Sequence, residues 1–186
     1  MEINTDLFQN SLDVYERLKN NTYQIDIENN TSFKLKFKDK AYHHLMGFQH
    51  LTDLNDIADP KFGTKRFYTT FKAHSESIGK TIKGSALYPV ISERVESFST
   101  LEELLAPGEY KLIVDFDNSK NGSLIEADYF LFKRVGAQFS GNVVYYNLFL
   151  GHDTNDEFYY PATYIVEHSN LYIRDQTILD CSVSLV

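Results

Sequence analysis

An α+β fold is what this sequence predicts: an N-terminal helical part with a small hairpin, then an antiparallel β-meander. Three observations carry that expectation. Apolar residues recur with helical period over most of residues 1–106, then alternate with polar ones over 107–186. Tyr (13) and Phe (14) are abundant and Trp is absent, a composition that favours an aromatic-rich sheet. Turn signals separate the later apolar runs at Asn121-Gly122, Gly141-Asn142 and Gly151–Asp156, and connections that short join antiparallel neighbours. At 186 residues and 42% hydrophobic, the chain reads as a single domain able to bury a sizeable core.

Residues 5–19 place Phe8, Leu12, Tyr15 and Leu18 on one stripe of a helix that Thr5 or Asp6 can cap. Tyr23, Ile25 and Ile27 alternate before the Asn29-Asn30 turn, and Phe33, Leu35 and Phe37 alternate with Lys34, Lys36 and Lys38 after it. That second strand has an apolar and a cationic face, the pattern of an edge protected by lysines. A helix is expected from Asp39 to Leu51. Asp59-Pro60 marks another start, with helices over 61–74 and 85–97 interrupted by Gly79 and Gly84. Ser99-Thr100-Leu101-Glu102 reads as a capping box for a short helix that Pro107-Gly108 ends. Strands are expected at Tyr110–Phe116, Leu124–Lys133, Val143–Leu150, Phe158–Val166 and Ile178–Leu185.

Composition excludes several classes. Cys181 is the only cysteine, so neither an intramolecular disulfide nor a cysteine zinc cluster is available. The polar N-terminus has no apolar signal core, and no apolar run is long enough to span a bilayer. A soluble cytoplasmic protein without membrane contact is expected. The net charge of -8 argues against non-specific binding to long duplex DNA. Charge is nevertheless uneven. Residues 31–90 hold 10 of the 18 Lys/Arg against 5 of the 26 Asp/Glu, a balance of +5, which leaves -13 for the rest. Four of the six histidines (His43, His44, His50, His74) share that basic segment. A solvated lysine face and a surface that meets an anion beside a proton shuttle both fit this pattern.

On the expected helix, His44 shares a face with Ala41, Leu45, Phe48 and Leu51, while His43, Met46, Gly47 and His50 share another. His44 is then either a satisfied core histidine or a group at a helix–sheet seam. His43 and His50 are either solvated or a pair; seven residues apart they lie about 10 Å apart along the axis, too far for one metal ion. Gly47 costs a helix about 1 kcal/mol against Ala, so something approaches its backbone or the helix bends there. Lys80–Ser85 follows Gly79 but lacks the spacing of a phosphate loop and no strand precedes it. No nucleophile-elbow or dinucleotide-binding signature is present. The tyrosines of Tyr159–Tyr164 and Tyr172 serve packing, or stack bases as readers of single-stranded RNA do.

The stretch His44-Leu45-Met46-Gly47-Phe48 resembles an F-x-H-L-x-G-L element of a phage-associated nuclease-like family within the Barnase–EndoU–colicin–RelE superfamily. Ser123–Tyr129 resembles that family's K-I-x-A-D-Y/F stretch. Tyr160–Tyr164 and Tyr172–Gln176 resemble its S-F-F and Y-x-K-G-Q elements. The resemblance spans roughly residues 25–180, in order. Phe48 stands for Leu, Thr163 for Ser, and Arg174-Asp175 for Lys-Gly. The resemblance implies helices followed by a four- or five-stranded antiparallel sheet, and a cofactor-free, metal-independent ribonuclease or toxin acting on RNA, tRNA included, in a bacterial host cytoplasm.

It also implies a site. Metal-free RNA cleavage needs a base, an acid and a cation on the phosphate. His44 takes an acid/base role; Arg174, with Lys80 or Lys83 next, holds the phosphate; Thr163, Tyr172 and Gln176 orient the scissile group; His50 and Tyr160 join Lys80 and Lys83 in substrate binding. The competing expectation is a non-catalytic phage protein of the same fold that binds and inhibits a host factor through its acidic surface, or meets a cognate inhibitor protein. A purely structural phage component is the third.

Overall fold

A computed structural model describes residues 6–59, 63–136 and 143–186. Seven helices and seven strands are found among them. The helices are α1 (Asp6–Lys19), α2 (Ala41–Leu45), α3 (Asn55–Ala58), α4 (Thr64–Ala73), α5 (Ser75–Lys83), α6 (Tyr88–Glu96) and α7 (Thr100–Leu105). The strands are β1 (Thr22–Ile27), β2 (Ser32–Lys36), β3 (Gly108–Asp115), β4 (Tyr129–Val135), β5 (Val144–His152), β6 (Tyr159–Glu167) and β7 (Thr177–Leu185). The α+β expectation therefore holds. Thr5, Pro60, Lys61 and the Gly141-Asn142 turn lie outside the described residues.

The strands run in the order β1-β2-β6-β5-β4-β3-β7, and β7 also pairs with β1, so the sheet closes on itself. All ladders are antiparallel except the contact of β2 with β6, which is parallel and confined to Leu35 and Tyr159. Two features correct the sequence reading, which made β2 an edge strand and expected a four- or five-stranded meander where seven strands close. The hairpin β1–β2 is built into the sheet, so the lysine-bearing β2 has partners on both sides. After β3–β6 the chain does not add β7 beside β6 but returns it between β3 and β1.

Alternation along the strands separates two apolar layers. Ile113, Leu131, Leu148 and Leu150 join the large core with the helices, while Val114, Phe130 and Phe149 face the other way. With Phe116 they form a second core, roofed by Ile125, Ala127, Tyr172 and Ile173 from two loops. α1 presents its expected stripe, with Phe8, Leu12, Tyr15 and Leu18 all buried. Gly79 does not interrupt a helix but lies within α5, where a Cβ would stand 2.7 Å from the Phe8 ring.

Three local expectations are corrected. The Asp39–Leu51 helix ends at Leu45, because Gly47 takes φ +77° and redirects the chain into a 3₁₀ turn at Phe48–His50. The strand expected from Leu124 begins only at Tyr129. Residues 123–127 instead fold back on Asn118, whose carbonyl accepts from the Ser123 amide (3.1 Å) and whose side chain donates to the Ile125 carbonyl (3.3 Å). The capping box does not form: Ser99 is already helical (φ -63°, ψ -20°), and its side chain makes no cap hydrogen bond.

Candidate active site

A pocket of about 610 Å³ opens where the helical layer meets the roof of the second core. Its size is that of a small-ligand site. Five chain segments build it, and four carry the motifs singled out above.

The first is the α2 segment, which packs against β6. The redirection at Gly47 decides which histidine faces where. His43 is the buried one, 2% exposed, with Nε2 2.6 Å from the Ile57 carbonyl oxygen and Nδ1 without a partner. His44 is exposed and lines the pocket, as does His50. The helical-face assignment of His44 and His43 is thus reversed, while the helix–sheet seam is where His44 stands. Desolvation of the ring against the pocket wall lowers its pKa below the ordinary histidine value. Burial also lowers that of His50, and the charges of Arg94 and His44 push in the same direction.

The second segment is β6. Phe149 pairs with Thr163, but Leu150 pairs with Pro161, which leaves Ala162 as a bulge. The bulge accommodates a proline that lacks an amide. It also turns Ala162 to the same side as Thr163 and Ile165, so that all three line the pocket. The third segment is the irregular stretch after Asn121. Ile125 sits on the second core, and Leu124, 97% exposed, stands at the mouth.

The fourth is the loop around Tyr172, whose ring packs edge-on against Phe149 at 5.2 Å. Gln176 ties it to the turn that leads into the third. The Asp117 amide donates to Gln176 Oε1 (3.0 Å), and Gln176 Nε2 donates to the Asp117 carbonyl (2.9 Å). Asp175 takes φ +64°, the left-handed conformation for which glycine is the natural residue. The resembled motif has Gly there.

The cation of this pocket is one that the sequence reading passed over. Arg94 projects from α6 beside Ile91 and Val95, both buried, and its guanidinium lines the pocket. Its Nη1 is buried and has no hydrogen-bond partner. Burial pulls its pKa below the ordinary arginine value, opposed by the Tyr172 and Tyr164 hydroxyls, and an arginine keeps its charge in proteins. The signal in the sequence was an arginine on an otherwise apolar helical stripe. Gln49 Oε1 is a second buried, unpartnered atom of the same wall.

His44, His50, Thr163 and Tyr172 are therefore brought together, with Arg94. The other expected site residues are not among them. Arg174 is exposed and lies 3.6 Å from the Asp175 carboxylate. Lys80 pairs with Glu76 one turn away in α5, and Lys83 lies over the Phe8 ring. Tyr160 lines a neighbouring cleft of about 430 Å³ with Asp128 and Gly151, its hydroxyl so close that a Cβ on Gly151 would stand 2.8 Å away. Gln176 shapes the pocket's wall from outside it. Among the described residues, no group of three or more His, Cys, Asp or Glu side chains is placed to hold a metal ion, and no helix is long and apolar enough to cross a membrane.

A family model described as phage-Barnase-EndoU-ColicinE5/D-RelE like nuclease 4 (PBECR4) matches residues 7–179. The chain belongs to this family. Neither a curated protein nor a solved structure matches it. As a PBECR4 member it is a nuclease-like, phage-associated protein, and the family implies a nucleic acid substrate. The match covers the helical layer and nearly all of the sheet, so all five pocket segments lie within the matched residues.

Proposed function

We propose that this PBECR4 protein is a metal-independent endoribonuclease that acts as a toxin, cleaving RNA by attack of a ribose 2′-hydroxyl on the adjacent phosphorus. The observation that carries this reading is that Arg94 lines one pocket with two imidazoles of lowered pKa.

His44, largely neutral near pH 7, takes the 2′-hydroxyl proton. The 2′-oxygen attacks phosphorus, and the Arg94 guanidinium binds the non-bridging oxygens as charge builds on them. The guanidinium is held partly out of water by its neighbours, so it forms a strong charge-assisted bond when an anion arrives. His50 gives its proton to the departing 5′-oxygen, leaving a 2′,3′-cyclic phosphate. The Thr163 hydroxyl and the Tyr172 phenol, kept protonated by burial and by Glu167, orient the phosphate by hydrogen bonds. The apolar side of the pocket, Leu124, Ile125 and Leu171, accepts a base, and this favours an unpaired strand over a duplex.

The test is incubation of the pure protein with total bacterial RNA in EDTA, with His44→Ala and Arg94→Gln alongside. Cleavage by wild type alone, ending in cyclic phosphate, supports the reading, and discrete tRNA fragments would name the substrate. Equal cleavage by wild type and His44→Ala removes His44 from the site. RNA left intact by wild type across purified tRNA and total RNA overturns the nuclease reading in favour of a non-catalytic inhibitor.

A further inference from the structure

The wall of the sheet is incomplete between β3 and β4. β3 and β4 are paired only at Ile113–Leu131, Val114–Phe130 and Asp115–Tyr129. β3 nevertheless starts at Gly108 and β4 runs on to Val135. Among the described residues, Gly108–Leu112 has a partner only in β7, and Phe132–Val135 only in β5. Two strand edges thus flank a notch of about 440 Å³. Exposed edges are normally blunted, since their free main-chain groups template another strand.

This notch has the opposite character. Its lining is apolar at Leu104, Leu112, Leu131 and Phe132. Tyr110 stands over it, 86% exposed and held at φ +65° by the irregularity between Gly108 and Lys111. A non-glycine residue in that conformation is strained. The charges are three cations to one carboxylate: Lys111, Lys133 and Arg134 against Glu103. The Glu103 carboxylate binds Lys133, and Lys111 donates only to the Glu103 main-chain oxygen (2.9 Å). Arg134 makes no ion pair among the described residues. Burial lowers the Lys111 pKa, Cys181 opposes, and Lys133 lowers it further.

We propose that this notch binds an extended, acidic segment of a protein partner, which adds as a strand to the free edge of β4. Strand addition uses the unpaired main-chain groups of Phe132–Val135 for affinity, and alternate side chains of the incoming segment for specificity. Apolar side chains fill the floor beside Leu112 and Phe132, under the Tyr110 ring. Carboxylates on the other side meet Lys111 and Lys133, and Arg134 draws the acidic segment from the Phe132 face. A nucleic acid strand would suit the cations and the tyrosine but has no ladder to offer the strand edges. The proposal is independent of the nuclease reading.

The probe is a fluorescently labelled peptide of alternating glutamate and valine, about nine residues long, the length of one strand. It is titrated into the full chain and followed by anisotropy, with a lysine–valine peptide and an oligouridylate as comparisons. Saturable binding of the glutamate peptide is expected, with amide exchange in residues 132–135 slowed about tenfold on binding. Lys133→Glu with Arg134→Glu should weaken it by about tenfold or more, and so should Leu112→Asp. Arg134→Glu alone, which leaves the Lys133–Glu103 pair intact, should weaken it in the same direction if the double variant unfolds. Absence of saturable binding, equal binding of the lysine peptide, tighter binding of the oligouridylate, or binding without slowed exchange would each overturn the proposal.

Discussion

Arg94 occupies the side-chain space of Gly47: a Cβ built on Gly47 would lie 3.2 Å from both Cδ and Nη1 of Arg94, and 3.0 Å from Cγ2 of Ile91. One residue thus does two things. Its φ of +77° ends α2 and turns His44 and His50 toward the pocket, and its missing side chain leaves the space through which Arg94 reaches it.

Gly47→Ala should therefore destabilise the fold by about 2–4 kcal/mol, from the left-handed conformation and from crowding against Ile91 and Arg94 together. Urea unfolding measures this. RNA cleavage should fall further than the folded fraction does, because the displaced group is the guanidinium.

The pH dependence of cleavage follows from the two imidazoles. A base must be deprotonated, so the rate rises with pH through the lowered pKa of His44. An acid must be protonated, so the rate falls with pH through the lowered pKa of His50. The optimum of kcat/KM should accordingly lie on the acid side of about 6.5, the ordinary histidine value. An optimum well above pH 7 would remove these roles.

His43 gives a separate prediction for stability. Burial lowers its pKa in the fold, with the Ile57 carbonyl opposing. The unfolded chain then binds its proton first as pH falls. Stability is fully present above about 6.5 and declines from there down through the lowered folded value. Unfolding free energy measured from pH 7.5 to 5 should show that decline. His43→Leu should make it shallower, the remainder coming from His44 and His50.

Gln176→Ala removes both hydrogen bonds to the Asp117 backbone. The expected loss of stability is about 1 kcal/mol. Hydrogen exchange should accelerate in residues 116–127. KM should rise more than kcat falls, and the pH profile should stay unchanged, because Gln176 holds the wall and does not touch the scissile group.

Asp175→Gly places a glycine at a left-handed position. It should raise stability by about 0.5–1 kcal/mol in thermal or chemical unfolding. The exposed Arg174–Asp175 ion pair that it removes contributes little.

Part of the site was legible beforehand because its residues sit in short motifs. His44, Thr163 and Tyr172 belong to three segments whose order and residue types resemble one family, and the structure brings them into one pocket. Arg94 belongs to none of those segments. It lies on α6, where the only trace of its role is a charge on an apolar stripe. Arg174 has the right chemistry at a motif position, but its backbone turns it to solvent beside Asp175.

What the sequence by itself determined is local: helical period before residue 106, alternation after it, the turns that end strands, and the glycine at position 47. These depend on neighbours a few residues away, which a linear reading contains. The tertiary structure decided the closure of the sheet, through β7 returning to β1 and β3. It also decided which of two adjacent histidines is buried, and which cation meets them. Those outcomes turn on contacts between residues dozens of positions apart, where burial and excluded volume choose among arrangements that local pattern leaves equal.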